Sequence, residues 1–296
     1  MNIAILQREL DEIENSQNLF DALNFRARKE ALDFVAVIDR IDTENYMDNP
    51  KGGRLEQQAR ALAKKLQAFN SSIAEDWHLR LRNEKPTPQV LRKWLQPYSD
   101  YLPHQWGQPY YGYENLDFLL DEILLPQPHP QASLPLQEGM VRYESTPASV
   151  ILELTERIAF TGDDVFYDLG SGLGKVTLLV HLLTGARSIG VEFQPDFCTY
   201  ASKKANDLKL NGVTYLNADA RHVDYADATV FFFFNPFGGD IFPAVLERLQ
   251  LEMQERDIWV SSYGTSSQPL SELPWLERIP PISENESALA IFRGRS

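Results

Sequence analysis

The first part of the chain has apolar residues at helical spacing. One set recurs at alternating steps of four and three residues, the spacing of a single helix face. The set consists of Leu55, Ala59, Leu62, Leu66, Phe69 and Ile73. The stretch from Leu23 to Ile41 is also compatible with a helix, and Thr87 and Pro88 are typical of an N-cap and a first helical residue. The pattern predicts an α-helical N-terminal domain over residues 1–125.

Beyond residue 137 the pattern changes to short apolar runs that alternate with helical stretches. The runs predict strands at residues 165–169, 188–193, 213–216, 229–234, 258–262 and 288–292. Runs that are almost continuously apolar are typical of strands buried on both faces, as in a parallel sheet covered by helices. We therefore predict an α/β fold, a Rossmann-like doubly wound sheet, with a ligand at the carboxyl ends of the strands.

Two segments lie between these patterns. The proline-rich stretch from Pro126 to Pro130 breaks any helix and predicts a linker over residues 126–136, which leaves residues 137–296 as the α/β domain. Before it, residues from Tyr98 to Phe118 are dense in aromatic side chains. These aromatics fit either packing between the two domains or a lid over a ligand, because aromatic side chains serve both purposes.

A glycine-rich loop follows the first predicted strand. Glycines at alternate positions between a strand and a helix let the backbone turn sharply and approach a ligand closely. The loop supplies five candidate ligand-binding residues: Asp168, Gly170, Ser171, Gly172 and Gly174. A purely structural turn between strand and helix is the alternative interpretation.

Two common nucleotide-binding loops do not match this segment. A phosphate-binding P-loop would need glycine at the position of Leu169 and serine or threonine at the position of Val176. A dinucleotide loop would need its third glycine at the position of Lys175 or of Thr177. A third loop, Asp-x-Gly-x-Gly-x-Gly, matches, and its acid suits a ligand with an ammonium group and a sulfonium rather than an anionic pyrophosphate.

Acidic residues also end the next two predicted strands. At the end of the second strand, Glu192 can accept both hydroxyls of a ribose. At the end of the third, Asp219 can accept from an adenine amino group, with the Ala220 amide on a ring nitrogen. Either acid alone could be a solvated loop carboxylate, and Glu192 alone also suits a nicotinamide dinucleotide. Three acids at successive strand ends are much harder to explain by chance.

Together these residues resemble class I S-adenosylmethionine-dependent methyltransferases over residues 137–296. The segment from Asp168 to Gly174 is similar to the first motif of that family, Glu192 to its ribose acid and Asp219 to its adenine-side acid. The resemblance implies S-adenosyl-L-methionine as the cofactor. It also implies a sheet of seven strands with the last one antiparallel.

A longer stretch, Asp163 to Val176, resembles the non-SET histone lysine methyltransferases of the disruptor-of-telomeric-silencing type. The segment from Tyr143 to Pro147 is similar to the element that those enzymes place beside the cofactor, which implies a cofactor contact for Thr146. The fourth strand, however, ends in Asn-Pro-Phe rather than in the Asn-Asn-Phe type.

That strand end is similar to the Asn-Pro-Pro-aromatic motif of methyltransferases acting on amino groups, although the second proline is missing. By this resemblance, Asn235 is the candidate catalytic acceptor for the protons of a target amine, and Phe237 a candidate substrate contact. Tyr143 is a second candidate catalytic residue. An ordinary strand-ending turn and a core tyrosine are the alternatives.

Net charge and composition exclude some classes of binding partner and binding site. The formal net charge of −14 argues against sequence-independent nucleic-acid binding and against anionic membranes. The single cysteine, Cys198, excludes an intrachain disulfide and a multi-cysteine zinc site, and we expect no metal. The chain begins with residues too acidic for a signal peptide, so we expect a cytoplasmic protein.

The function expected from the sequence is methyl transfer to an amine-bearing acceptor, with a protein side chain favoured. The alternatives are a non-catalytic protein that binds S-adenosylmethionine or a partner, and a methyltransferase for a small molecule or RNA. A dehydrogenase is a third class, which binding of a nicotinamide cofactor would reveal.

Overall fold

The computed structural model of the chain describes residues 3–40, 50–110 and 112–294. The end of the predicted helix at Ile41 and the belt residue Tyr111 lie outside the described residues. The helices are α1 (Ile3–Glu14), α2 (Phe25–Arg40), α3 (Pro50–Glu84), α4 (Pro88–Leu95), α5 (Asn115–Leu124), α6 (Ala148–Arg157), α7 (Lys175–Thr184), α8 (Pro195–Asp207), α9 (Ile241–Glu255) and α10 (Ser267–Ser271). The strands are β1 (Val165–Leu169), β2 (Arg187–Glu192), β3 (Val213–Asn217), β4 (Val230–Phe234), β5 (Trp259–Tyr263), β6 (Leu276–Arg278) and β7 (Ala290–Gly294).

The N-terminal part is helical, as the apolar spacing predicts. Leu55, Ala59, Leu62 and Leu66 of α3 are buried and form a core with residues of α1 and α2. The predicted start of α4 is also confirmed, because Thr87 accepts a hydrogen bond from the Val90 N–H as its N-cap.

The seven strands form one sheet in the order β3-β2-β1-β4-β5-β7-β6. Strands β1 to β5 pair in parallel, and β7 runs antiparallel to both β5 and β6. The six predicted strands are confirmed within two residues at each end. Strand β6 is not predicted, because it has only three residues and of these only Leu276 is buried.

Both faces of the sheet are covered. In β4, Phe232 packs into one apolar core while Phe231 and Phe233 pack into the core on the opposite face. This explains why the strand is apolar at every position, since successive side chains point to opposite faces. The doubly wound α/β fold is therefore confirmed.

The strand order reverses at β1. The chain runs from β1 towards β2 and β3 on one side, and returns to β4 on the other side. The helices that follow β1 and β4, α7 and α9, pack on opposite faces of the sheet. A switch point of this kind places a crevice at the carboxyl ends of the strands.

The helical part and the sheet share an apolar core. It contains Leu120 and Leu124 of α5 together with Leu178 and Leu179 of α7. Residues 126–139 form neither helix nor strand, and the segment begins against α8, where the Tyr200 hydroxyl donates to the Pro126 carbonyl over 2.7 Å. The division into domains 1–125 and 137–296 with a linker at 126–136 stays a prediction.

Candidate functional site

The carboxyl ends of β1 to β4 surround a cavity of about 340 Å³. Seven of the residues predicted to form the site line it: Tyr143, Gly170, Gly172, Glu192, Asp219, Ala220 and Phe237. A smaller cavity of about 20 Å³ shares Tyr143, Gly170 and Phe234 with it. Three further predicted residues line this smaller cavity: Thr146, Asp168 and Ser171.

The glycine loop has a left-handed backbone that other residues rarely adopt. Gly170 and Gly172 have φ values of 83° and 54°. A Cβ atom added to Gly170 would lie 2.3 Å from Pro236 Cβ, and one added to Gly172 would lie 2.3 Å from the Tyr143 ring. These glycines therefore permit a close approach of neighbouring groups. The third glycine, Gly174, caps the N-terminus of α7.

Ser171 lies in the same loop but faces the smaller cavity. Its N–H donates to the Val191 carbonyl over 3.0 Å, which ties the loop to β2. Its buried hydroxyl has no hydrogen-bond partner among the described residues. A buried polar atom without a partner is costly, so this hydroxyl is available to a ligand.

Asp168 ends β1 with a buried carboxylate. Its Oδ2 accepts a hydrogen bond from Thr177 Oγ1 over 3.0 Å. Burial, reinforced by the nearby Glu192 carboxylate, raises the pKa of Asp168 from 3.8 to about 7. A cation placed beside this carboxylate would restore its charge.

Glu192 is held in place by the backbone. Its Oε2 accepts from the Gly172 N–H over 2.8 Å and its Oε1 from the Gln194 N–H over 2.7 Å. Burial raises its pKa despite these bonds. Each carboxylate oxygen has a second lone pair, so Glu192 can still accept two hydroxyls from a ligand.

Asp219 forms an ion pair that the sequence did not predict. Its oxygens accept from Arg221 Nε over 3.0 Å and from Arg221 Nη2 over 2.6 Å. The hydrogen bond from Arg221 lowers the pKa of Asp219. Arg221 also donates to the Gln137 side chain, so this pair connects the end of β3 to the segment that covers the cavity.

Residues 132–146, which we call the strap, cross the cavity. The Leu134 backbone exchanges two hydrogen bonds of 3.0 and 2.9 Å with the buried Gln194 amide. Further along, the Gly238 N–H donates to the Gly139 carbonyl over 2.6 Å. The Tyr113 hydroxyl holds the end of the strap through the Ser145 carbonyl. These contacts were not predicted, because no local sequence pattern signals them.

Tyr143 is the strap residue that packs over the glycine loop. Its ring lies against Gly172 and meets Phe197 edge to face, with the ring centroids 6.0 Å apart. Although 38% of the residue is exposed, desolvation of the hydroxyl raises the pKa of Tyr143 to about 12, so this group stays protonated at neutral pH. Phe234, at the end of β4, lines both cavities, as Tyr143 does.

Asn235 does not line either cavity. Its backbone has a φ of 42°, and its side-chain Oδ1 accepts from Thr265 Oγ1 over 3.0 Å and from the Ser266 N–H over 3.2 Å. The amide oxygen is thus already engaged with two donors. Its neighbours Pro236 and Phe237 do line the larger cavity.

Lys175 is a site residue that sequence reasoning missed. It follows Gly174, lines the smaller cavity and is only 2% exposed. Its Nζ lies 2.8 Å from Asp117 and 3.1 Å from Asp121, both in α5. Burial alone would lower the pKa of Lys175, but these two carboxylates raise it above its ordinary value. The sequence signal that could have identified it is a lysine directly after the last glycine of a loop that does not match the P-loop pattern.

The aromatic belt packs against α6 rather than over the cavity. Glu153 accepts from the Tyr110 hydroxyl over 2.8 Å, and Glu156 accepts from the Tyr101 hydroxyl and from Trp106 Nε1. No described belt residue lines the 340 Å³ cavity. Of the two interpretations of the belt, the structure therefore favours packing between the helical part and the sheet.

Neither a metal-binding cluster nor a membrane-spanning helix is present among the described residues. Within residues 3–40, 50–110 and 112–294, no three His, Cys, Asp or Glu side chains are grouped closely enough to hold a metal ion. None of the helices described is both long and apolar enough to cross a membrane.

Comparison with known proteins supports the resemblance seen in the glycine loop. Residues 140–231 match the model of a family described as histone methylation protein DOT1. A histone-lysine N-methyltransferase specific for lysine 79 of histone H3 from Chaetomium globosum is 30% identical over 97 residues, which cover 30% of this chain and 19% of the relative. The corresponding protein of Emericella nidulans is 24% identical over 192 residues, covering 60% of this chain and 35% of the relative.

The chain thus spans about a fifth and about a third of these relatives' lengths. The similarity to non-SET histone lysine methyltransferases that the sequence predicted is confirmed by these matches. The seven-stranded sheet with its antiparallel β7 also agrees with the class I fold that the resemblance implied.

Solved structures also align with half of the chain. An RNA methyltransferase from Salinibacter ruber, in complex with S-adenosylhomocysteine, is 24% identical and covers 51% of this chain and 92% of its own, with a TM-score of 0.39. An S-adenosylmethionine-dependent methyltransferase from Aquifex aeolicus is 12% identical and covers 49% of this chain and 88% of its own, with a TM-score of 0.38.

The predicted cytoplasmic localisation is contradicted by these relatives. Both relatives are named for lysine 79 of histone H3, which implies for them a site of action on chromatin rather than in the cytoplasm. The absence of an early targeting pattern, on which the prediction was based, says nothing about entry into a nucleus.

Proposed function

We propose that the protein is an S-adenosylmethionine-dependent methyltransferase that modifies an amino group of a protein, a lysine side chain first of all. The observation that carries this proposal is the set of Asp168, Glu192 and Asp219 at three neighbouring strand ends, beside one glycine loop and its cavity. The similarity to histone lysine methyltransferases supports the same activity.

In this proposal each of the three acids binds a different group of the cofactor. Asp168 takes the ammonium group, Glu192 the two ribose hydroxyls, and Asp219 the adenine amino group beside the Ala220 N–H. Asp219 keeps its pair with Arg221 in this arrangement, because a carboxylate has lone pairs for further donors.

The loop fits such a ligand. Gly170 and Gly172 leave the backbone bare where a side chain would clash with Pro236 and Tyr143. The orphaned hydroxyl of Ser171 offers a donor in the smaller cavity, where Thr146 and Lys175 also face the carboxylate end of the ligand.

Alignment and exclusion of water are the main contributions of the protein to the reaction. When bound, the cofactor supplies a methyl group on a positively charged sulfur, which a neutral amine can attack directly. Tyr143 and Phe234 wall the junction of the two cavities and hold the amine in line. The Tyr143 hydroxyl, protonated at neutral pH, orients the amine by accepting a hydrogen bond and is not the base.

Asn235 acts in this proposal by position rather than by contact. Its engaged amide oxygen fixes the turn after β4 to the loop after β5, and this turn carries Pro236 and Phe237 into the cavity wall. Phe237 thereby keeps the substrate-facing place that the sequence suggested.

The experiment is transfer of a labelled methyl group from S-adenosylmethionine into fractionated cell extract and purified histones. We expect label in the protein fraction, recovered as methyl-lysine after hydrolysis. The variants Asp168→Asn and Glu192→Gln should lose transfer, whereas Asp163→Asn, which removes an exposed acid from the same segment, should keep it.

Two results would overturn the proposal. Label recovered in RNA or in small molecules would change the substrate class. Saturable cofactor binding with no transfer to any fraction would favour the alternative, a non-catalytic binding protein.

A further inference from the structure

A second pocket, nearly as large as the 340 Å³ cavity at the strand ends, lies where the helical part meets α6. Its volume is about 320 Å³, and it shares no lining residue with the cavity at the strand ends. Leu95 of α4 and Leu152 of α6 form buried apolar walls. Pockets of this size and composition are typical of sites for small organic ligands.

Arg92 brings a positive charge to this pocket. Its Nη2 donates to the Thr155 carbonyl over 3.1 Å and to Thr155 Oγ1 over 2.9 Å, which fixes the guanidinium against α6. Its Nε and Nη1 have no hydrogen-bond partner, and no carboxylate forms an ion pair with it, in the part of the chain that the structure describes. Two nitrogen atoms of a fixed guanidinium, with three N–H groups between them, are therefore available.

The carboxylate in the pocket wall does not compete for these donors. Glu156 accepts from the Tyr101 hydroxyl, from Trp106 Nε1 over 3.2 Å and from the His104 N–H over 3.4 Å. Its other oxygen lies 3.0 Å from His104 Nδ1. The belt thus surrounds this negative charge with donors. Burial lowers the pKa of Arg92 and the nearby Glu156 charge opposes this shift, but among the described residues Glu156 forms no direct ion pair with Arg92.

A neutral donor lies at the same wall. Ser99 Oγ accepts from the Tyr101 N–H over 3.0 Å, so its own hydroxyl hydrogen remains available to a ligand. A fixed guanidinium and a hydroxyl donor beside apolar walls suit a carboxylate attached to a compact apolar body.

We infer that this pocket binds a small monocarboxylate whose apolar body packs between Leu95 and Leu152, with its carboxylate on Arg92 and Ser99. The site is independent of the proposed methyl transfer, because the two cavities have no residue in common.

The test measures binding of three matched probes to the full chain by calorimetry: 4-phenylbutyrate, 4-phenylbutanamide and 4-phenylbutylamine. We expect saturable binding of the carboxylate, with the amide and the amine at least about tenfold weaker, since a charge-assisted hydrogen bond has roughly that effect. Equal binding of the three probes, or no saturable binding of the carboxylate, would overturn the inference.

Substitutions at Arg92 and at a control position test whether the probe binds in this pocket. Arg92→Met should weaken 4-phenylbutyrate about tenfold, while Lys93→Met, which removes an equal charge from the exposed neighbouring position of α4, should leave its affinity within about twofold. If Arg92→Met fails to fold, as judged by circular dichroism, Ser99→Ala serves instead and should weaken binding about threefold. Unchanged affinity in the folded variant would contradict the site.

Discussion

At the scale of single residues, the most informative group is the Asp168 carboxylate. The sequence suggested an acid that meets a cationic ligand, and the structure adds that this acid is buried with a pKa of about 7. Without a ligand it is therefore only partly charged near neutral pH. A bound ammonium group favours the charged form, so ligand binding and loss of this proton are coupled.

This coupling predicts a pH-dependent affinity. Below pH 7 the ligand must first displace the Asp168 proton, so binding of S-adenosylhomocysteine should weaken about tenfold from pH 8 to pH 6. Calorimetry at the two pH values measures this. Asp168→Asn should bind weakly with no such dependence, and a pH-independent affinity in the unchanged protein would contradict the assignment.

Single residues also show which features of the site a local sequence pattern cannot predict. The glycine loop and its acids could be predicted because motif and strand ends are adjacent in sequence. The orientation of Asn235 could not, because its partner Thr265 lies 30 residues further along the chain. The pair of Asp219 with Arg221 spans only two residues, but residue types at this spacing do not distinguish an ion-paired acid from one that binds a ligand alone.

At the scale of elements, α5 and α7 are joined through a buried ion pair. Asp117 is fully buried, and its oxygens accept from Lys175 Nζ over 2.8 Å, from the Ala148 N–H over 2.7 Å and from the Glu114 N–H over 3.0 Å. One carboxylate thus ties α5 to the start of α6 and to the glycine loop. The partners lie up to 58 residues apart, which is why the sequence did not reveal them.

The two carboxylates on Lys175 form a matched pair for mutation. Asp117→Asn should lower the free energy of unfolding by about 3 kcal/mol, because it disrupts a buried charge network. Asp121→Asn should lower it by about 1 kcal/mol or less, because that side chain is 37% exposed. Urea unfolding measures both changes in the free energy of unfolding. Equal decreases in the two variants would contradict a larger contribution of Asp117 to stability.

The strap depends on a close backbone contact. Gly139 has a φ of 86°, and an added Cβ would lie 2.5 Å from the Gly238 carbonyl oxygen. Gly185, at the end of α7, has a similar φ of 79° but open space around it. Alanine substitutions at the two glycines therefore distinguish the effect of backbone strain alone from the effect of losing the strap contact.

Gly139→Ala should weaken binding of S-adenosylhomocysteine about tenfold, because the strap would be displaced from the cavity that it covers. Gly185→Ala should cost about 1 kcal/mol of stability through its strained backbone and leave the affinity unchanged. Calorimetry with thermal unfolding distinguishes the two effects. If both variants bind like the unchanged protein, the strap is not part of the site.

At the scale of the whole molecule, the sequence predicts the class of fold better than the relation between its parts. Apolar runs and helical spacing identify the doubly wound sheet and the helical N-terminal part. Neither pattern reveals that α5 contacts the end of the glycine loop through Asp117, or that the belt residues Tyr101 and Tyr110 donate hydrogen bonds to two acids of α6. Such contacts depend on how elements pack, which a one-dimensional pattern does not contain.

The net charge of −14 acquires a more specific meaning in the folded protein. Three of the acids face the proposed cationic cofactor, and Asp117 and Asp121 neutralise a buried lysine. The charge therefore bears on the cofactor and on the packing of α5, and it does not identify the compartment.

Calorimetric titration of the full chain with S-adenosylmethionine, and in parallel with NADH, tests the central claim most directly. The account predicts one saturable site for S-adenosylmethionine and no binding of NADH. In Glu192→Gln the affinity for S-adenosylmethionine should fall about tenfold or more, since that change removes charge-assisted hydrogen bonds. Binding of NADH without binding of S-adenosylmethionine, or an unchanged affinity in Glu192→Gln, would contradict it.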